Sequence, residues 1–142
     1  MSDDKTPESP NFINIGIVQN DKGEVLMIKR VKEEIGTSGS KLIWAFPGGK
    51  QKEGESRKES VEREVLAETG YEVAQIKEIT LRIPPDLPII IVYHLMRLKS
   101  TEQKQPQQPE EVAEIRWVKP AEIRSLITTS LDPQVAKELK IP

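Results

Sequence analysis

Residues 49–71 read GKQKEGESRKESVEREVLAETGY, and the part from Glu62 to Gly70, EREVLAETG, decides how the chain is understood. Ser56 followed three residues later by Glu59 fits a capping box, the reciprocal serine–glutamate pairing that opens a helix. Gly70 fits the left-handed position that closes one. Between them Val61 and Val65, with Leu66 beside them, make an inward apolar stripe at helical spacing. The pattern therefore predicts a helix ending at Gly70. On it Glu64 and Glu68 stand four residues apart, one turn above the other, where like charges repel by about 0.2–0.5 kcal/mol.

Outward from this helix, strands follow on both sides. Phe12–Gln19 (FINIGIVQ) and Glu24–Arg30 (EVLMIKR) flank Asn20–Gly23, a turn with the residues a hairpin needs. GTSGSK, Gly36 to Lys41, reads as a flexible loop, and Leu42–Phe46 as a short strand stopped by Pro47-Gly48-Gly49. After the helix, Tyr71–Ile83 reads as a long strand or a bent pair, and Pro84-Pro85-Asp86 as a turn. Ile89–Leu98 is a strongly apolar, central strand. Thr101–Pro109 is a polar loop rich in glutamine and proline, Val112–Val118 a strand, and the remainder one or two short helices with Pro120 and Pro133 near their starts. Strands, helix, strands, helix indicates a layered α/β domain. Residues 1–10 read as a flexible N-terminal tail and 11–142 as the single domain.

A chain of 142 residues suffices for one well-packed core. Its net charge of -2 provides no positive field for nucleic acid or an anionic membrane. With no cysteine there is no disulfide, thiol nucleophile or cysteine-held metal. The first residues, MSDDKTPESP, lack the basic start and apolar run of a signal peptide. The longest apolar run, about Pro88 to Tyr93, falls far below the ~20 residues of a membrane span. The simplest location is the cytoplasm.

Two glutamates on one helical face admit two explanations. One is a solvated face, with Glu59 and Arg63 as an i,i+4 ion pair. The other is a hard divalent cation, since magnesium is commonly held by one or two carboxylates plus substrate phosphates. Gly48-Gly49 favours the second, because bare backbone can approach a ligand closely and lend a carbonyl.

The spacing of the fixed residues then resembles the Nudix box of the Nudix hydrolases. That signature runs Gly, five residues, Glu, seven residues, Arg-Glu, an apolar residue, any residue, Glu-Glu, any residue, Gly and an apolar residue. Gly49, Glu55, Arg63, Glu64, Val65, Glu68, Gly70 and Tyr71 match it; the first of the paired glutamates is Ala67. WAFPGGK before the box and EIRWV after it extend the resemblance over about Asn11 to Leu139.

The resemblance implies a Nudix-like α/β/α sandwich around a mixed sheet. It also implies hydrolysis of a nucleoside diphosphate linked to another group, with magnesium or manganese as cofactor and a small nucleotide as partner. Glu64 and Glu68 become metal ligands with the Gly48 carbonyl, and catalytic residues. Gly49, Glu55, Arg63 and Gly70 support the site, Glu55 and Arg63 as an ion pair. Arg30 and Lys50 contact phosphate, and Phe46, with Trp44, is placed to stack on a base. Glu111, with Glu110 beside it, is the leading replacement for the missing acid, ahead of Glu102, Glu114 and Glu53. Dimers are frequent among relatives, so a homodimer is open. His94 is read as packed in or on the sheet, and Trp117 as packing. The alternative to an enzyme is a Nudix-fold nucleotide-binding protein with little hydrolysis, suggested by Ala67. An RNA-processing role lacks a basic stripe.

Overall fold

β1 (Phe12–Gln19) and β2 (Val25–Glu33) leave the Asn20–Gly23 turn as an antiparallel pair matched at Gln19 and Val25. Asn20 braces the turn: its side-chain oxygen accepts the N–H groups of Lys22 and Glu24. The two strands then take different neighbours. β1 accepts β4 (Gly48–Lys50) antiparallel and runs parallel to β6 (Ile90–Gln103). β2 pairs with β3 (Ser40–Ala45) and with β7 (Val112–Val118), both antiparallel. β5 (Tyr71–Arg82) ends the path β3-β2-β1-β6-β5 as the antiparallel neighbour of β6. This computed structural model describes residues 11–33, 40–107, 109–127 and 131–141.

Helices cover both faces. α1 (Arg57–Thr69) sets Val61 and Val65 on Val18, Leu26, Val73 and Met96. On the opposite face Ile17, Val25, Met27, Tyr93 and Val118 meet Ile123 of α2 (Pro120–Leu126) and Val135 of α3 (Pro133–Glu138). Ile17 and Val18 are sequence neighbours on opposite faces, which is the alternation of a strand. Because both faces are buried, FINIGIV and IIIVYHLM are nearly continuous in apolar residues rather than alternating. The result is the α/β/α sandwich with a mixed sheet that the resemblance implied.

Pro120 and Pro133 each stand in the first turn of their helices, where a missing N–H costs nothing. Several strand bounds differ from the sequence reading. Gly48-Gly49 does not simply stop a strand; Gly48, Gly49 and Lys50 form β4 against Ile15, Asn14 and Ile13. β6 continues through Gln103 and so claims the start of the supposed glutamine-rich loop, because β5 extends to pair Tyr71 with Gln103. The 1–10 tail and residues 36–39 of the expected loop lie outside the described residues. Among the described residues, no helix is long and apolar enough to cross a membrane.

Candidate functional site

The helix that carries the acids has fixed ends. Ser56 Oγ accepts the Glu59 N–H at 3.1 Å while Glu59 Oε1 accepts the Ser56 N–H at 2.9 Å. At the other end Gly70 adopts φ 82°, ψ 0° and donates its N–H to Leu66 O at 2.8 Å. A side chain at Gly70 would be strained by that backbone and would also collide with the Lys104 carbonyl. The helix therefore stops one residue after Glu68, leaving this acid in the last turn and Glu64 one turn earlier.

Both carboxylates converge on the two glycines of β4. Glu68 Oε1 accepts the Gly48 N–H at 2.9 Å. A Cβ built on Gly49 would lie 2.6 Å from the Glu64 carboxyl, so only glycine leaves space for that group. Alternation along β2 places Arg30 on the same face as Leu26, toward α1, and Arg30 Nη2 reaches Glu68 Oε2 at 2.9 Å. Glu68 is almost closed off, with 3% of its side chain exposed against 29% for Arg30. Burial pushes the Glu68 carboxyl above the usual range, and the charge of Glu64 adds to this. Arg30 and the Gly48 N–H oppose the shift without cancelling it.

Arg63 ties this face of α1 to the preceding loop. Its Nε and Nη2 donate to the two Glu55 oxygens, Nη2 at 3.0 Å, while Nη1 reaches Glu64 Oε2 at 3.2 Å and Nη2 also reaches the Lys50 carbonyl at 3.2 Å. The Arg63 hydrogen bond holds the Glu55 carboxyl below its ordinary value. The planar guanidinium serves four acceptors from three separate places in the chain, which an ammonium could not match.

The donor set suits a hard cation: two carboxylates and adjacent backbone, all oxygen, with remaining positions left to water and phosphate. Glu68 is already shared with one cation, the Arg30 guanidinium. Among the described residues no three acidic or histidine side chains gather closely enough to hold a metal, so Glu111 is not assembled with Glu64 and Glu68. Its backbone is nearby in the sheet, because the Glu111 carbonyl accepts the N–H of Val31, next to Arg30. Its side chain lies in an exposed turn instead, and Glu114 is paired with Arg116. Ala67 is buried at 7% exposure, and its carbonyl accepts the Gln107 N–H at 2.8 Å.

The remaining sequence candidates separate clearly. Lys50 closes β4 and is exposed. Phe46 is 6% exposed and belongs to the core with Trp44, Tyr93 and Val118, so its ring offers packing rather than an open surface for a base. Trp44 on β3 and Phe46, one residue past its end, both join the core cluster that holds Ile123 of α2 and Val135 of α3. Trp44 does carry the Arg116 guanidinium over its ring at 4.5 Å, and Trp117 donates to the Tyr71 hydroxyl. His94 is fully buried among polar partners, Asn14 and Gln75. Asn14 and Gln51 were not singled out in the sequence; one asparagine inside FINIGIV was the available signal. A groove of about 680 Å³ opens at the far end of β1, lined by Gln19, Tyr71, Arg97 and Trp117 and by none of the residues around Glu68.

A glycine pair, a capped helix and two acids one turn apart on a mixed sheet make up a single loop–helix–loop. The chain belongs to the NUDIX domain family, whose profile matches residues 11–139. It is 30% identical over 107 residues to a Bacillus subtilis (strain 168) protein named as a candidate 8-oxo-dGTP diphosphatase, covering 75% of this chain and 65% of that one. The match thus spans a little under two thirds of that relative. A Nitrosomonas europaea NUDIX hydrolase structure superposes with TM-score 0.73 at 18% identity, over 94% of this chain and 72% of the other. An ADP-ribose pyrophosphatase from Streptococcus suis 89-1591 superposes with TM-score 0.59 at 19% identity, over 79% and 75%. These structural likenesses concern the fold.

Proposed function

We propose that this protein is a divalent-metal-dependent hydrolase that opens the pyrophosphate bond of a nucleoside diphosphate linked to another group. The observation that carries this reading is the convergence of Glu64 and Glu68 on Gly48-Gly49. Those two side chains, with the Gly48 carbonyl, would hold magnesium or manganese. The bound ion supplies charge neutralisation on the phosphate oxygens, the main requirement of phosphoryl transfer. Arg30 and Lys50 bind and orient the phosphates. Glu55 and Arg63 keep α1 in register with the loop. Glu111 is the proposed distal acid, brought in from the turn before β7 in place of the side chain that Ala67 lacks.

Substrate class follows the relatives: a nucleoside triphosphate, as the name of the Bacillus protein suggests, or ADP-ribose and nucleotide sugars. A small-molecule partner, a cytoplasmic setting and a homodimer belong to the same reading. The second reading, nucleotide binding with little hydrolysis, is favoured by Ala67, which removes one carboxylate from the cluster.

The deciding experiment incubates the protein with nucleoside triphosphates, an oxidised deoxynucleotide, ADP-ribose, nucleotide sugars and dinucleoside polyphosphates, with magnesium, manganese or chelator. Metal-dependent cleavage of one class, lost in Glu68→Gln, establishes the hydrolase. Nucleotide binding without cleavage of any compound establishes the second reading.

A further inference from the structure

Three buried polar side chains, His94 on β6, Asn14 on β1 and Gln51 in the turn after β4, are linked with Gln75 of β5 in one continuous chain of hydrogen bonds. Gln75 Nε2 lies 2.8 Å from His94 Nδ1, and His94 Nε2 lies 2.9 Å from Asn14 Oδ1. Asn14 Nδ2 donates to Gln51 Oε1 at 2.8 Å, and Gln51 Nε2 donates to the Glu55 carbonyl at 3.0 Å. His94 and Asn14 are wholly buried and Gln51 is 5% exposed. The chain crosses from β5 through β6 and β1 to the turn before α1.

Chemistry gives this chain one direction. An amide nitrogen only donates, so His94 Nδ1 accepts from Gln75; an amide oxygen only accepts, so His94 Nε2 carries the proton and donates to Asn14. Each group then donates to the next, ending at a backbone carbonyl. The arrangement requires a neutral imidazole with a single N–H. Burial, with the Arg57 charge second, pushes His94 down to about 4, which keeps it in that form.

The end of the chain is the loop that carries Glu55. Gln51 is anchored by its own N–H on the Phe12 carbonyl, and Glu55 folds back to it through the Glu55 N–H to Lys52 and the Lys52 N–H to Glu55 Oε1. The Gln51 amide closes this turn, and the Glu55 carboxylate then holds Arg63, which touches Glu64. A core that needed only bulk at positions 14 and 94 would be served by aliphatic side chains, as at Ile17, Val18, Val92 and Met96 around them. The polar choice has a direction and a destination.

We infer that His94 is a positioning residue: through Asn14 and Gln51 it fixes the Glu55 loop, and through Arg63 the orientation of Glu64. The inference rests on the reading of Glu64 as a metal ligand. It predicts that a histidine on the far side of β1 from the loop controls metal affinity without touching the metal.

The test uses His94→Leu, which keeps bulk and removes both hydrogen bonds, His94→Gln, which restores one acceptor and one donor, and Gln51→Leu, which cuts the chain at the loop. Two readouts are taken on nucleotide-free protein: the NMR signal and solvent exchange of the Arg63 Nε–H, and Mn2+ affinity by electron paramagnetic resonance. His94→Leu is expected to accelerate Arg63 Nε–H exchange and to weaken Mn2+ about tenfold, the size typical of groups that orient a metal ligand. His94→Gln restores most of both, and Gln51→Leu reproduces His94→Leu with no further loss in the double variant. Turnover falls in kcat with KM held. An unchanged Arg63 signal in folded His94→Leu overturns the proposal; if that variant fails to fold, an unchanged signal in Gln51→Leu does the same. Glu64→Gln separates the two readings: unaltered Mn2+ binding there refutes the metal-ligand role of Glu64, while the Arg63 signal still reports on the chain from His94.

Discussion

Arg30 Nη2 rests 2.9 Å from Glu68 Oε2, so a guanidinium occupies one oxygen of the carboxylate that the proposed cation shares. The pairing joins β2 to the last turn of α1. On the proposed function, Arg30 would compete with the metal before substrate arrives and would become a phosphate ligand once the metal takes Glu68.

Arg30→Ala is accordingly expected to move two affinities in opposite directions. Mn2+ binding in the absence of nucleotide tightens, because the competing cation is gone. The KM for the nucleotide rises about tenfold, the value of one charge-assisted hydrogen bond. Electron paramagnetic resonance titration and steady-state kinetics check the pair; weakening of both would show that Arg30 merely supports the fold.

Glu68→Gln is expected to lower turnover by well over tenfold, on the order of one lost charge-stabilising contact in the transition state, without lowering Tm. Burial holds the folded-state pKa of Glu68 above its unfolded value. The ionised carboxylate therefore costs stability at pH 7, and that cost fades as pH falls through the folded pKa. Glutamine removes the buried charge and still accepts the Gly48 N–H, while Arg30, 29% exposed, gives up its contact and turns to solvent. Thermal melts beside turnover assays decide it, and wild-type turnover in this variant would sink the proposed role.

Ala67→Glu adds a carboxylate at a closed position next to Glu68. Without metal the variant should lose roughly 1–3 kcal/mol, the cost of overpacking and of an unpaired polar group. With saturating Mn2+ it should regain that loss and bind metal more tightly than wild type. Calorimetric melts with and without metal supply the comparison; a Tm deficit that metal leaves untouched contradicts it.

Acid sensitivity should carry the signature of His94. Its folded pKa, about 4, lies below the ordinary value of 6.5. The unfolded chain therefore takes up a proton first, and stability falls as pH drops from about 6.5 to about 4, by roughly 3 kcal/mol. Glu55 acts in a lower window: Arg63 holds its pKa below 4.5, so its contribution is lost only as pH falls past that point. Urea unfolding at pH 7 and pH 4.5 should show the histidine loss in wild type and little of it in His94→Gln.

Local chemistry was legible where it was contiguous. The capping box at Ser56 and Glu59, the Gly70 cap, the bounds of β1 and β7 and the prolines that open α2 and α3 each depend on near neighbours. Fixed spacing likewise exposed Glu64 and Glu68. Features made by strand pairing were not. β4 exists only because β1 offers its edge to Gly48-Gly49-Lys50, and nothing within those residues announces a strand. The Arg30–Glu68 contact spans two elements, and the His94–Asn14–Gln51 chain runs from β6 through β1 to the turn after β4. Phe46 shows the limit from the other side: proximity in sequence to the glycines placed it at the site, whereas the fold packs it in the core with Trp44, Tyr93 and Val118.

The placement of Glu68 in the last turn of α1 has an electrical consequence. A helix gathers partial negative charge at its C-terminal end, where cations are welcome and carboxylates are not. α1 has no basic residue in that turn, and it puts an acid there instead. The macrodipole therefore adds to the field of the two glutamates rather than opposing it. What weakens the isolated helix would strengthen its attraction for the proposed dication, and part of that binding energy would be the relief of a polarity written the wrong way round for a helix on its own.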